Sequence, residues 1–441
     1  MQLPLVLFGA LLLLLMWVLP VKAGSLPRRR AVRDPVMWAG LLFLLLLTVQ
    51  WWNAGRFHYF DPYREAWGYT PARVSWLTAA MTRGEAAEML RWFFPAWALV
   101  IFLRCGLSGI REARWLLGVL AINGALLAVF GIVQQGSGTE SIFWLTDLEG
   151  IRFFAGFGYE NHAGSYFVLM SAISIGLLGE EVFRIDRPPR AAALVGWGLA
   201  GILNFVGANL SFSRAGILLS WVLVAFALVY LLWKGYRRWR SGTWINVSLG
   251  ALLVTVAAAM TMEQFGGKTI TRELATLRKT IDPRAVRAPH YTLLLGDRVA
   301  MLQAAGNIWL DYPWFGCGGW GYRYLLPYEL PEDSWQSSSA AYGKANVHND
   351  PAQFLAEFGA VGAGLMTVCV IGLARPALWI RRRSPLTTLI LAGAVLVVIH
   401  SLVDLPFRSP AITYAWLTAL GCVAAVEVYN KHTLSHTVSH T

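Results

Sequence analysis

The residues best placed to do chemistry lie in the stretch "NVHNDPAQFLAE", where Asn346, His348, Asn349 and Asp350 run directly into a helical pattern. Asp350 is expected to cap that helix, with Pro351 at its first position and Gln353 completing a capping box. The positive end of a helix disfavours an imidazolium, so His348 is expected to sit there neutral and able to accept a proton. A loop histidine held in a structural hydrogen bond fits the same stretch, and these residues alone do not separate the two.

A second group is "SFSRAG", with Arg214 just beyond Ser211 and Ser213 in a turn between two apolar runs. An arginine at a bilayer surface snorkels, pairs or serves a site. Its planar fork of donors, with hydroxyls beside it, suits a phosphate. A second cation, Arg298, opens the stretch "GDRVAMLQAAGNIWLDYPWFGCGGWGY". The GxGxxG within it (Gly316 to Gly321) follows no strand and opens no clear helix, so it is not a dinucleotide fingerprint. Its glycines are expected to let backbone and aromatic rings pack closely. Asn161 and His162 stand at the start of one apolar run, and His400 and Asp404 lie four apart near the end of another. Those four either line a cleft or tie helices together.

These groups need a membrane scaffold to hold them. The 441 residues are 56% hydrophobic and only 14% charged, against about 45–50% and about 25% for soluble domains. Runs long enough to cross a bilayer are expected near 3–22, 36–54, 89–108, 115–134, 163–182, 192–210, 214–233, 245–262, 356–376, 386–404 and 411–428. The fold expected is therefore an all-α polytopic membrane protein with about eleven spans. "RRRAVR", "RCGLSGIREAR", "RIDRPPR", "KGYRRWR" and "RRR" (Arg381 to Arg383) all fall on one side, which the positive-inside rule makes cytoplasmic. The first apolar run has no basic stretch before it and "RRRAVR" directly after, so it is expected to be a span and not a cleaved leader.

The order is then a first set of spans over 1–262, a loop domain over 263–355, a last set of spans over 356–428 and a cytoplasmic tail over 429–441. In the long loop, Ile270, Leu274, Leu277 and Ile281 define one face of a helix, and a second helix is expected over about 297–310, ending before Pro313. The net charge of +12 sits mostly in short loops, where it sets topology and does not point to nucleic acid. Four scattered cysteines offer no disulfide framework and no zinc spacing. The first outer loop holds no Asp-x-Asp pair to grip a divalent metal, Asp61 with Glu65 being the nearest approach. The apolar runs hold no convincing buried carboxylate at mid-depth, which disfavours the alternative of an ion-coupled transporter.

Taken in order, "ENHAG", "SFSRAG", "GDR…DYPWFGCGGWGY", "HNDPAQFLAEFGAVG" and "HSLVD…P" resemble the bacterial O-antigen ligase and O-antigen polymerase superfamily, over roughly 157–410. Phe212 between the two serines and Pro351 after "HND" depart from the common pattern. The resemblance implies a GT-C-type membrane glycosyltransferase in the bacterial inner membrane, with its active site facing the periplasm and no cofactor or metal. It implies an undecaprenyl-diphosphate-linked glycan donor, with Arg214 and Arg298 binding the diphosphate and His348 taking the acceptor's proton. The acceptor is a lipid A-core sugar, a growing polysaccharide or, in a protein-glycosylating member, a Ser/Thr hydroxyl. Asn161, His162, Asp350, Gln353, His400 and Asp404 are candidate cleft residues. Membrane lipids and polysaccharide assembly proteins are the partners implied, and a purely structural role in such an assembly is the remaining alternative.

Overall fold

The structure is a computed structural model that describes residues 3–18, 31–55, 58–61, 66–69, 72–107, 109–147, 152–184, 187–238, 289–329, 346–378 and 383–438. The protein is an all-α polytopic membrane protein: among the described residues seven helices are long and apolar enough to cross a membrane. In chain order the helices are α1 (Leu3–Val18), α2 (Pro35–Asn53), α3 (Arg83–Ile101), α4 (Ile110–Gly136), α5 (Glu160–Val182), α6 (Ala191–Leu210) and α7 (Arg214–Arg238). They continue with α8 (Pro289–Asp311), α9 (Tyr322–Glu329), α10 (Asp350–Leu378), α11 (Pro385–Ser401) and α12 (Pro410–Val438). Ten of the eleven expected spans coincide with a helix, α1, α11 and α12 having apolar parts shorter than the rest. The expected span at 245–262 and the expected helix at 270–281 lie outside the described residues. The helix expected over 297–310 is α8, which begins earlier and ends at Asp311 as Pro313 requires. Among the described residues, strand is confined to two small antiparallel hairpins, His58–Asp61 with Ala66–Tyr69 and Ser141–Ile142 with Thr146–Asp147.

The chain divides into two compact units. Unit 1 comprises Met1–Ser108, Pro283–Arg375 and Ser401–Asp404. Asp34 caps α2 by accepting from Val36 N–H at 2.9 Å, with Pro35 supplying a pre-formed first turn. The same carboxylate pairs with Arg104 at 2.6 Å, and Arg104 also donates to the carbonyl of Gly372, so one half-buried ion pair ties the start of α2 to α10. Water is excluded from a bilayer, so close packing takes over much of the work that burial does in soluble proteins. Here it is aromatic: Phe43 of α2, Phe93 of α3 and Phe354 and Phe358 of α10 form a cluster with centroids 4.6–6.3 Å apart.

Unit 2 comprises Gly109–Asp282, Pro376–His400 and Leu405–Thr441. Its axis is α5, 83% buried along its apolar window where other spans reach 28–50%. Small residues permit that burial. At Gly164 a Cβ would come within 2.7 Å of Ser213 Cβ, and at Gly216 within 2.6 Å of Gly164 Cα, so α5 and α7 cross almost backbone to backbone. Asn204 of α6 donates to the Ala121 carbonyl of α4 and to Ser174 of α5, at 3.2 and 3.1 Å. Interhelical hydrogen bonds of this sort supplement packing where lipid offers no competing donor.

Candidate functional site

The helix that carries the opening motif is not continuous. Gly359 has φ 64° and ψ −174° inside α10, and the loop Pro313–Gly318 docks into the break. The freed N–H groups of Ala360 and Val361 donate to the carbonyls of Pro313 and Trp314 at 2.8 and 2.9 Å. In return, the Cys317 and Gly318 N–H groups donate to the carbonyls of Ala356 and Glu357 at 3.0 and 2.8 Å. No side chain fits at either approach: a Cβ on Gly359 would lie 2.4 Å from Phe315 N, and one on Gly316 would lie 2.2 Å from the Glu357 carbonyl carbon. The "GCGGWG" run is thus a clip into a broken helix, in line with the close backbone packing read from its glycines. Gln50 at the end of α2 holds the clip from behind, donating to Phe315 O at 2.8 Å.

His348 lies just ahead of α10 with φ 54°, a left-handed conformation. Such a backbone costs roughly 1–3 kcal/mol for a non-glycine residue unless its surroundings hold it. The helix cap differs from expectation by one position. Asn349, not Asp350, caps α10: its Oδ1 accepts from Ala352 N–H at 2.9 Å, and its carbonyl accepts from Gln353 N–H at 3.0 Å. Asp350 is instead the first helical residue, where a carboxylate still complements the helix dipole. Gln353 does not close a capping box with Asp350. Its Oε1 accepts from Val347 N–H at 3.1 Å, one residue before the histidine.

Three consecutive residues of unit 1, Leu402 to Asp404, receive three of the groups singled out by sequence. Asn349 donates to the Leu402 carbonyl at 2.9 Å, and Arg298 donates to the Val403 carbonyl at 3.3 Å. Asp404 Oδ1 lies 3.6 Å from His348 Nδ1. The Asp404 side chain is 4% exposed and that of His348 33%, so the imidazole turns a buried Nδ1 toward a buried carboxylate, just beyond hydrogen-bond distance, and is otherwise partly exposed. Arg298, on α8, is exposed. The structure therefore brings Arg298, His348 and Asp404 onto one short stretch of backbone.

In unit 2, the turn before Arg214 is built as tightly. Ser213 caps α7, its Oγ accepting from Gly216 N–H at 3.0 Å and donating to Asn161 Oδ1 at 2.6 Å. Asn161 in turn donates to the Tyr159 hydroxyl at 2.9 Å. Ser211 and Ser213 are fully buried, which leaves Arg214, the first residue of α7, as the exposed group of the turn. Phe212 takes φ 64°, and the Arg152 guanidinium stands 5.9 Å from its ring centroid, a second cation beside the turn. His162 Nε2 is 3.0 Å from the Leu405 carbonyl, so that nitrogen carries the proton and donates. His400 Nδ1 is 2.6 Å from Ser165 Oγ, and the ring is 1% exposed. Asn161, His162 and His400 are thereby tied to neighbouring elements, His400 joining α11 to α5.

Some participants escaped the sequence reading. Glu357, fully buried, accepts from Gln353 Nε2 at 2.9 Å, and Asn346 Oδ1 accepts from the same nitrogen at 3.2 Å. Spacing from Gln353 to Glu357 (i, i+4) was the available signal. The carbonyls of Leu402 and Val403 carry none, because backbone groups leave no mark in side-chain pattern.

Residues 199–367 match the family model described as O-Antigen ligase, so this segment is similar to the O-antigen ligase and polymerase superfamily. The matched segment contains Arg214, Arg298, His348, Asp350, Gln353 and Glu357. Asn161 and His162 precede it, and His400 and Asp404 follow it. No individually curated protein matches the chain as a relative.

Proposed function

We propose that this protein transfers or polymerises a glycan from an undecaprenyl-diphosphate-linked donor onto an acceptor hydroxyl, as a GT-C-type enzyme of the bacterial inner membrane working on the periplasmic face. The observation that carries the proposal is the convergence of Arg298, His348 and Asp404 on the backbone stretch Leu402–Asp404.

In this reading His348 Nε2 accepts the proton of the acceptor hydroxyl while that oxygen attacks the anomeric carbon of the donor. The glycosidic carbon–oxygen bond to the diphosphate breaks, and the polyprenyl diphosphate departs with the bonding electrons. Asp404 faces Nδ1 at 3.6 Å. On closing to hydrogen-bond distance it favours the tautomer with the proton on Nδ1, leaves Nε2 to accept, and stabilises the imidazolium that forms. Negative charge grows on the diphosphate as the bond breaks, so a fixed guanidinium stabilises the transition state more than the bound donor. Arg298 supplies that charge beside His348. Arg214, in unit 2, is proposed as a diphosphate-binding residue from its place in the order of motifs and from its exposure at a capped helix start. Guanidiniums take the place a divalent cation fills in metal-dependent glycosyltransferases, and the reaction is accordingly proposed to be metal-independent.

The test is turnover of the purified full-length protein with an undecaprenyl-diphosphate oligosaccharide and EDTA present throughout. A lipid A-core oligosaccharide, a second lipid-linked repeat unit and a Ser/Thr peptide serve as acceptors. Transfer to one of the first two, with lipid diphosphate released, supports the proposal and separates ligase from polymerase. Transfer only to the peptide assigns the protein-glycosylating alternative. Activity that appears only when a divalent cation replaces EDTA overturns the metal-independent mechanism.

A further inference from the structure

We infer that Gln353 and Glu357 are positioning residues for His348, a buried relay that fixes the backbone from which the imidazole projects. The inference rests on the reading of His348 as the base and adds residues to which neither the family match nor the proposed mechanism gives a task.

The geometry is directional. Gln353 is 1% exposed and Glu357 fully buried. The Gln353 amide oxygen accepts from the N–H of Val347, and both of its amide hydrogens are used, one toward Asn346 Oδ1 and one toward Glu357 Oε1. Turned over, the amide would set its oxygen against two acceptors and its nitrogen against an N–H, so only one orientation is satisfied. Two of these three bonds end on the residues immediately before His348. On the other side, Asn349 is held by the N–H of Ala352 and by the Leu402 carbonyl. A histidine with φ 54° is thus clamped before and after. Glu357 is in turn anchored by its own carbonyl, which accepts from Gly318 N–H where the clip enters the helix break. The chain of contacts runs from the clip to Glu357, to Gln353, to the peptide preceding the base.

A catalytic imidazole displaced by about 1 Å costs on the order of 100-fold in rate. Gln353→Glu keeps the shape of the side chain and turns its double donor into an acceptor facing Asn346 and Glu357. It is expected to lower kcat about 10- to 100-fold with the KM for an undecaprenyl-diphosphate oligosaccharide unchanged. Glu357→Gln retains an acceptor oxygen for Gln353 and is expected to stay within about threefold of wild type, whereas Glu357→Ala falls with Gln353→Glu. On a His348→Ala background the residual rate is expected not to fall further, because a displaced base and a missing one are the same loss. If Gln353→Glu does not accumulate as folded protein, the contrast between Glu357→Gln and Glu357→Ala carries the same test.

Wild-type kcat in Gln353→Glu, or a full multiplicative loss on the His348→Ala background, overturns the inference. Wild-type activity in His348→Ala overturns the base itself. Loss in His348→Ala together with full activity in Gln353→Glu removes only the positioning relay, so the two failures are distinct.

Discussion

His348 Nδ1 and Asp404 Oδ1 lie 3.6 Å apart, although 55 residues and two helices, α10 and α11, separate them in the chain. The carboxylate is buried and the imidazole is partly open. Closed to hydrogen-bond distance, an aspartate so placed would hold the proton on Nδ1 and leave Nε2 to accept from an incoming hydroxyl.

Replacing Asp404 with Asn keeps the volume and removes the charge that supports a forming imidazolium. The expected outcome is a fall in kcat of about 10²–10⁴, the usual scale of general-base assistance, with donor KM changed little. Steady-state kinetics on the purified variant check it. An unchanged kcat separates Asp404 from the chemistry.

Arg298 contributes a planar, permanently charged fork, and lysine cannot reproduce it. A charge-assisted hydrogen bond contributes about 1.5–3 kcal/mol, so Arg298→Lys is expected to weaken donor use about tenfold or more in kcat/KM. Kinetics with the lipid-linked donor and a measured donor affinity show how the loss divides between binding and the transition state.

How much of this was legible depends on where each residue keeps its information. Arg298, Arg214 and His348 stood out because charge beside apolar runs is costly and so conspicuous. The helix after His348 was readable from Asx, Pro and Gln, yet Asn349 and Asp350 are both good caps, and local pattern did not choose between them. The break at Gly359 was hidden, since "AEFGAVGAGLM" reads as an unbroken span and only the docking of Pro313–Gly318 shows where the helix opens. Asp404 was visible as a polar group near a helix end, but its partner depends on tertiary contact. Glu357 looked like one more residue of a helix start, and its burial is set by the clip that no periodicity encodes.

That clip yields its own expectation. Gly359→Ala places a methyl within 2.4 Å of Phe315 N at a φ of 64°, so either the loop or the helix break must shift. The loss is expected to be at least about 1–3 kcal/mol, seen as a lower thermal midpoint of the detergent-solubilised protein. Gly316→Ala meets the same junction from the other side. The two together are expected to cost less than the sum of each alone, because the first already opens the clip.

The hydroxyls behind the clip set an alkaline limit. Burial pushes Tyr324 up to about 12, with the nearby Glu85 charge adding to it, and burial raises Tyr322 further still, reinforced by Glu357. Both folded values exceed the unfolded one of about 10. Stability tied to these groups is therefore complete below about pH 10, where neither state ionises. It declines as pH rises through 10 toward 12, because the unfolded chain gives up its protons first. A denaturation midpoint that falls in this window, and falls less steeply in Tyr322→Phe, is the expected result.

The most direct test of the central claim is the single-turnover rate of glycan transfer by His348→Ala at saturating undecaprenyl-diphosphate donor, with donor binding measured on the same preparation. The account predicts donor binding close to wild type and a transfer rate lower by about 10²–10⁴. Transfer at the wild-type rate by protein lacking His348 would contradict it, because no other group has been placed to take the acceptor's proton.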